Sequence, residues 1–185
     1  GALGPPLAVL VVAGSIAAYP DTGDPGEVDV YVEATVASSG SADGIPTGPQ
    51  LAAVATAFEL TSAGDSGKAT RRPANAAPNA LPISRIAFDL VVNGLDVEDV
   101  PAAEAAIAAA ADQYFRSREP FIVGLSVLPR RDRVTLAAVS GVVDNVASAL
   151  GATIASVELE LSAAPIPAYT LGAGVKAKLG TVTYV

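Results

Sequence analysis

The chain has 185 residues and contains no histidine and no cysteine. This composition excludes imidazole bases, thiolate nucleophiles and the commonest ligands of zinc and haem iron. The chemistries that remain are carboxylate catalysis, a serine or threonine activated by lysine, and a hard cation held by oxygen atoms. We therefore expect a protein that is not an enzyme and that uses no cofactor and no metal ion.

The net charge of -8 indicates that the partners are not polyanions. Nucleic-acid binding depends on clustered Lys and Arg, so the charge predicts no nucleic-acid partner. The longest apolar run, Leu7–Tyr19, contains Gly14 and Ser15 and is shorter than the roughly 20 residues of a spanning helix. We expect no membrane insertion. Because the chain also has no Met, we interpret it as an internal or processed piece of a longer protein, or as an incomplete chain.

The first residues predict a wide β-hairpin. Leu7–Val12 and Val28–Val36 are rich in β-branched residues, and the turn-forming segment Tyr19–Gly26 joins them. The second stretch alternates apolar and polar residues, which is typical of a strand with one buried face. Ser38–Gly48 is rich in Ser and Gly without periodicity, so we expect it to be a mobile loop.

A helix is predicted next, over Pro49–Phe58. Thr47 or Pro49 suits its first turn, Gly64 suits its end, and its apolar face comprises Leu51, Val54, Ala55 and Phe58. The segment Ser66–Pro82 is rich in Pro, Ala and Asn, which favours a crossing segment between two halves of the chain. We place the domains at 1–80 and 81–185.

The second half begins with a predicted strand, Arg85–Val92, and continues into the longest helix, Val100–Arg118. Acidic residues before the helix and arginines in its last turn both suit the helix dipole, and Pro120 prevents its continuation. The helix has one apolar face, made of Ala103, Ile107, Ala111, Tyr114 and Phe115.

The rest of the chain predicts mainly strands. These are Phe121–Leu128, Thr153–Leu161 and Val175–Tyr184, while Asp132–Val139 fits either a short helix or a strand. The order of elements predicts an α+β (mixed α/β) fold of small strand-helix units in succession, with two helices of moderate length packed on mixed sheets.

Two short strings match catalytic motifs but lack defining residues. Gly64–Gly67 resembles the sequence around a protease serine, which needs a histidine that the chain does not have. Gly67–Lys68 resembles a phosphate loop, but Ser62 replaces the first glycine and Ala69 replaces the magnesium-binding hydroxyl residue. We interpret both strings as turns.

The acidic residues favour structural roles over metal binding. Asp96, Glu98 and Asp99 lack the spacing and the glycine of a calcium loop, and they are better placed to begin the following helix. Asp21 and Asp24 alternate with glycines, which is typical of turns.

One basic cluster stands out in this acidic chain, at Arg130, Arg131 and Arg133. It is either a solvated turn or a docking patch for an acidic neighbour. Together with the cluster, exposed faces near Tyr31, Tyr169 and Tyr184 are our candidate interface residues for contact with other proteins.

Several weak motifs also follow one another in a distinctive order. They are Pro25–Val32, the turn Gly44–Pro46, the helix Pro49–Phe58, Arg72–Pro73, the strand Ile83–Val92, the aromatic pair Tyr114–Phe115, the string Gly141–Asp144 and the closing segment Leu179–Tyr184. This order resembles the C-terminal half of the baseplate J-like proteins of contractile phage tails. The resemblance covers most of the chain, whereas the N-terminal portion of that family is missing.

The resemblance implies a structural role in a virion. It implies a wedge component of the tail baseplate, assembled in the host cytoplasm and present in several copies in a ring, with other baseplate and tail proteins as partners that link hub to sheath. The family has no catalytic residues to carry over. Two rivals remain: a carbohydrate-binding or adhesin-type module, which usually needs aromatic platforms, and a hydrolase using two carboxylates about 5 to 9 Å apart.

Overall fold

A computed structural model of the chain describes residues 14–19, 27–59, 77–120 and 131–185. The chain forms two compact units, Gly1–Ser84 and Arg85–Val185. Both units combine helices with β-sheet, which confirms the predicted α+β class. The predicted strands Leu7–Val12 and Phe121–Leu128 lie outside the described residues, as do most of the Tyr19–Gly26 turn and residues 66–76 of the predicted crossing segment.

The N-terminal unit contains a three-stranded sheet in the order β1-β2-β3. Strand β1 (Gly14–Tyr19) pairs antiparallel with β2 (Glu27–Ala34), so that Ile16 lies opposite Val32. Strand β3 (Ala77–Pro82) pairs parallel with β2. The antiparallel partner of β2 is therefore Gly14–Tyr19, which lies between the predicted first strand and the predicted turn. The end of the predicted crossing segment is a strand.

The loop expected at Ser38–Gly48 begins as a helix. Helix α1 (Val36–Ser39) is capped by Thr35, whose side chain accepts a hydrogen bond from the Ser38 N–H, and this cap also ends strand β2 at Ala34. Beyond α1, the Ala34 N–H donates to the Gly44 carbonyl at 2.8 Å. Part of the segment is therefore tied to the strand that precedes it.

Helix α2 (Gly48–Glu59) begins with a reciprocal cap. The Thr47 N–H donates to Gln50 Oε1 at 2.8 Å, and the Gln50 N–H donates to Thr47 Oγ1 at 3.4 Å. Val54 is buried, as predicted, and it packs against Val32, where Leu51 of the predicted face is also partly buried. Ala55 of that face is exposed, whereas Ala53 packs against the cluster.

The C-terminal unit contains a four-stranded sheet in the order β7-β6-β4-β9. Its strands are β4 (Ser84–Asn93), β6 (Ser156–Leu161), β7 (Ala164–Pro165) and β9 (Val175–Tyr184). Strand β6 is antiparallel to β4. Strand β9 is parallel to β4, since Val185 accepts from the Gly94 N–H and donates to the Val92 carbonyl. Strands β5 (Arg133–Thr135) and β8 (Ala168–Thr170) form a separate antiparallel pair.

Two long helices, α3 (Val100–Arg116) and α4 (Leu136–Ala149), contribute to the core of this unit together with the sheet. The rings of Phe88 and Phe115 stack with their centroids 5.5 Å apart. Of the face predicted for α3, four residues are fully buried and Tyr114 is partly buried against the same core. The predicted face of α3 is confirmed.

Helix α3 begins where the acidic residues predict. The Asp99 carboxylate accepts a hydrogen bond from the Ala102 N–H at 3.2 Å, and Pro101 occupies the first turn. Asp96 has a different role, because its backbone forms an isolated β-bridge with Thr153. The helix ends at Arg116, which pairs with Asp112 at 2.7 Å, two residues before the predicted end.

The prediction of two moderate helices was wrong, because α4 is a third. The segment Asp132–Val139, predicted as one short element, contains strand β5 and the first turn of α4. Thr135 separates them by accepting a hydrogen bond from the Ala138 N–H. The buried side of α4 is marked by Val139, Val143 and Ala147, which are spaced four residues apart. The helix also contains β-branched valines and Gly141, and these residues lower helix propensity.

The predicted strand Thr153–Leu161 begins later, at Ser156.

The Asp99 cap gives a test of this structure. Asp99→Ala should lower the free energy of unfolding by about 1 kcal/mol, because the Ala102 N–H loses its acceptor. Asp99→Asn should cost much less, since the amide oxygen can still accept. Urea denaturation followed by circular dichroism measures both, with Asp144→Ala on the exposed side of α4 as a control. Equal stability of Asp99→Ala and the control would contradict the assigned cap.

Candidate functional site

The C-terminal sheet presents a polar face on the side opposite its helices. Phe88, Leu90 and Val92 of β4 are buried in the core, so the alternate residues of β4 point the other way. The same alternation applies around Val157 and Leu159 of β6 and around Ala177 of β9. We call this surface the outer face; it comprises Arg85, Ala87, Asp89, Val91, Asn93, Glu158, Glu160, Lys176 and Lys178, each partly or fully exposed.

Charges of opposite sign occupy opposite sides of the outer face. Glu158 and Glu160 lie on β6, where they are paired in register with Val91 and Asp89 of the central strand. Lys176 and Lys178 lie on β9, on the other side of β4. An Asn93 amide donates to Glu158 Oε1 at 3.3 Å and to Ser156 Oγ at 3.1 Å, which places these side chains on the same face.

Two side chains of β4 hold the backbone of β9 across the outer face. Arg85 Nη1 donates to the Ala177 carbonyl at 3.0 Å, and Asp89 Oδ1 accepts from the Thr181 N–H at 2.6 Å. Charge-assisted hydrogen bonds of this kind are about twice as strong as neutral ones. The central strand therefore fixes the position of the strand that carries the lysines.

A β-bulge interrupts β9 between these two contacts. Val175 and Leu179 pack against the core from odd-numbered positions, whereas Val182 and Tyr184 pack against it from even-numbered positions. In an uninterrupted strand, only one of these two sets would face the core. An extra residue must therefore shift the alternation between Leu179 and Val182. Gly180 lies there, directly against the Asp89 carboxylate, so that a Cβ atom at this position would collide with the carboxylate oxygen and come within 3.2 Å of the Phe88 carbonyl. Any larger residue at this position therefore requires the Asp89 carboxylate to move.

Gly180→Ala should lower the free energy of unfolding by about 1–3 kcal/mol, because the methyl group would displace the Asp89 carboxylate from the Thr181 N–H. Gly172→Ala is the matched control, since an added Cβ there meets no atom within 4 Å. Its effect should stay within about 0.5 kcal/mol. Urea denaturation of both variants measures the two free energies of unfolding. If Gly180→Ala were as stable as the original chain, the carboxylate would not hold the bulge.

The tyrosines predicted as interface residues have different surroundings. Tyr169 packs edge-on against Phe88 with a centroid distance of 5.5 Å, and Tyr184 donates its hydroxyl to the Glu104 carbonyl at 2.9 Å. Both rings pack on the core of the C-terminal unit. Tyr31 lies on β2 of the N-terminal unit, where burial and the nearby Asp29 carboxylate raise the pKa of its hydroxyl. Tyr169 and Tyr184 therefore pack against the same core. The interface role of the three tyrosines stays a prediction.

The basic cluster is described only in part. Arg130 lies outside the described residues, whereas Arg131 and Arg133 are exposed. Arg131 lies 3.7 Å from the equally exposed Glu119 carboxylate, a distance typical of a weak surface pair. Asp132 between them is buried, with only 1% of its surface exposed, and its carbonyl accepts from the Leu171 N–H. The choice between solvated turn and docking patch stays open.

Tyr184 provides a pH-dependent test. Burial raises the pKa of its hydroxyl and the Glu104 carboxylate raises it further, so the folded state favours the protonated form. Its contribution to stability is complete below pH 10 and is lost as the pH rises through the folded pKa. Tyr184→Phe should cost about 1 kcal/mol at neutral pH and should lose less stability above pH 10.

Absorbance at alkaline pH measures the ionisation directly. The difference between the titration curves of the original chain and Tyr184→Phe isolates the hydroxyl, and its midpoint should lie above 10. A midpoint at or below that value would contradict the assigned environment. Urea denaturation at neutral and alkaline pH provides the matching stability measurement.

Metal binding and membrane insertion receive no support from the residues that the structure describes. Within them, no group of three or more acidic side chains could hold a metal ion. The same part of the chain contains no helix that is both long and apolar enough to cross a membrane. The catalytic-like strings at Gly64–Gly67 and Gly67–Lys68, together with Asp21 and Asp24, lie outside the described residues.

The outer face was not predicted from the sequence, although a signal for it exists. Charged residues alternate with apolar residues at Val157–Glu160 and at Val175–Lys178. This period of two predicts charges on one face of each strand. It does not predict that β4 lies between the two strands, because neighbours in a sheet can be distant in sequence.

No protein family and no curated protein matches this chain. The resemblance to the baseplate J-like proteins therefore remains a hypothesis based on the order of motifs.

Proposed function

We propose that this chain is a structural subunit of a contractile phage tail, or of a related injection machine, that holds neighbouring baseplate proteins together. The observation that carries the proposal is the outer face. It presents charged side chains in rows on a sheet whose central strand clamps its neighbour through Arg85 and Asp89. A broad surface with fixed charges suits recognition of another protein surface.

The positions of the resemblance motifs are consistent with an architectural role. Gly44 lies against the Ala34 carbonyl at a positive φ of 67°, where a side chain would collide with the strand. Tyr114 and Phe115 contribute to the core, and Leu179–Tyr184 spans the bulge held by Asp89. Each of these residues positions backbone or fills space. The Pro25–Gly26 and Arg72–Pro73 motifs lie outside the described residues.

The aromatic residues give little support to a carbohydrate-binding module. Such modules usually present exposed aromatic platforms to sugar rings. Among the aromatic side chains whose exposure the structure describes, each is buried or only partly exposed: Tyr31, Phe88, Tyr114, Phe115, Tyr169 and Tyr184. The assembly proposal is therefore preferred to the adhesin alternative.

A carboxylate hydrolase is also disfavoured by the surroundings of the acid pair on strand β6. Glu158 and Glu160 are two residues apart on one strand, which separates them by about 7 Å. Glu158 is exposed, and the pair lies on the surface of a sheet. A glycosidase acid needs an environment that keeps it protonated near neutral pH. An exposed carboxylate beside water does not have that environment.

The proposal predicts that the chain is a component of tail particles. Quantitative mass spectrometry of purified particles should find it in a constant ratio to the sheath subunit, with several copies per tail. Electron microscopy of particles that carry an affinity-tagged chain should place the tag at the baseplate end. A cytosolic protein of the same cells serves as the control for contamination.

Two results would overturn the proposal. One is a chain that remains outside the particles while tails assemble normally. The other is saturable binding of the purified chain to a defined polysaccharide, which would favour the adhesin alternative.

A further inference from the structure

We infer that prolines close one edge of each of the two larger β-sheets, so that neither sheet can grow into a fibre by repeated addition of further copies of this chain. The closed edges are the outer sides of β3 and β7, which are terminal strands of their sheets among the described residues. The inference goes beyond the proposed function and does not depend on it. It rests on the positions of Pro78, Pro82 and Pro165 in their ladders.

The prolines of β3 lie at positions that point away from β2. The Ile83 N–H donates to the Val32 carbonyl at 3.1 Å, and Val32 is the register partner of Pro82. In a parallel ladder a residue bonds to the two neighbours of its register partner, so the backbone of Pro82 itself is directed to the outer edge. Because this direction alternates along a strand, Pro78 and Ala80 are directed outward as well.

The outer edge of β3 therefore has few hydrogen-bond donors. Proline has no N–H, so only Ala80 among the three outward residues offers one. Each proline ring also occupies the place of the missing hydrogen atom, where the carbonyl of an added strand would lie. A strand that paired with this edge would leave two of its carbonyl groups without a donor, which is costly once water is excluded.

The outer edge of β7 has the same property. The Ile166 N–H donates to the Leu159 carbonyl at 2.8 Å, so these residues belong to a hydrogen-bonded pair of the antiparallel ladder with β6. The next pair, Glu160 and Pro165, is then one without mutual hydrogen bonds, and its backbone groups point outward. The outward residue of the two-residue strand β7 is thus a proline, and this edge has no donor.

Closing one edge limits what a sheet can build. An unpaired edge strand is a template for pairing with another chain. Open-ended growth requires two different edges on each copy, one for the preceding copy and one for the next. The opposite terminal strands, β1 and β9, contain no proline. A sheet that can pair through one edge only joins one further copy and then stops.

The variant Pro78→Thr/Pro82→Thr tests the closed edge. It restores the two missing donors and introduces a residue of high strand propensity at both positions. The variant should form species larger than dimers at a protein concentration at least about tenfold lower than the original chain requires, because two further hydrogen bonds join each pair of copies. Sedimentation velocity over a series of concentrations gives the measurement.

Hydrogen exchange connects the association to the edge. The new N–H at position 82 points outward, so it should exchange quickly in the dilute variant and slowly in the associated material. The Leu81 N–H points toward β2 and should be protected in both.

Pro49→Thr/Pro101→Thr is the matched control. It makes the same two changes of residue type in the first turns of α2 and α3, where both prolines are exposed. Its self-association should stay within about threefold of that of the original chain. Circular dichroism verifies that each variant is folded. If Pro78→Thr/Pro82→Thr does not fold, Pro82→Thr at an exposed position replaces it and should associate more readily than Pro101→Thr.

Three outcomes would overturn the inference. The folded variant could associate no more than the original chain at concentrations up to about 1 mM, which is the result expected if the prolines only stiffen the chain. The control could associate as readily as the β3 variant. The N–H at position 82 could be protected in the dilute variant, which would place it inside the ladder. None of these results depends on whether the chain is found in tail particles.

Discussion

The hydrogen bond between the Asp89 carboxylate and the Thr181 N–H is the contact on which the C-terminal sheet depends. It holds the bulge at Gly180, and the bulge changes which residues of β9 face the helices. Without that change, a strand that buries Ala177 would turn Val182 and Tyr184 away from the core. One carboxylate on the outer face thus connects the packing of the inner face to the placement of Lys176 and Lys178.

The sequence predicts those parts of the fold that are determined by local periodicity. The buried face of α3 follows from helical spacing, and its start follows from the capping ability of Asp99. Helix α4 was missed because valines at helical spacing also fit a strand and Gly141 weakens the helical preference. Tertiary packing resolves that ambiguity, since Val139 and Val143 are fully buried beside α3.

The outer face shows a second limit of prediction from the sequence, which concerns the order of strands in the sheet. Alternation in β6 and β9 predicts that Glu158 and Lys178 face away from the core of their own strands. It does not predict that β6 and β9 lie on opposite sides of β4. That relation depends on the pairing of Glu160 with Asp89, on the parallel direction of β9 and on the reach of Arg85 to the Ala177 carbonyl. All three connect residues that are more than 70 positions apart in the chain, so a local pattern does not contain them.

The charged side chains of the outer face are partly or fully exposed, which limits how strongly this face can hold another protein. Individual exposed ion pairs contribute little, typically under about 1 kcal/mol, so the strength of such a contact depends on several pairs forming together. Separating the faces returns each charge to water instead of leaving it unpaired in a core, which keeps the cost of release small. The hydrogen bonds of Arg85 and Asp89 hold the backbone of β9 in place whether or not a partner is bound. A rigid block with reversible contacts is therefore compatible with the proposed role of holding neighbouring proteins together.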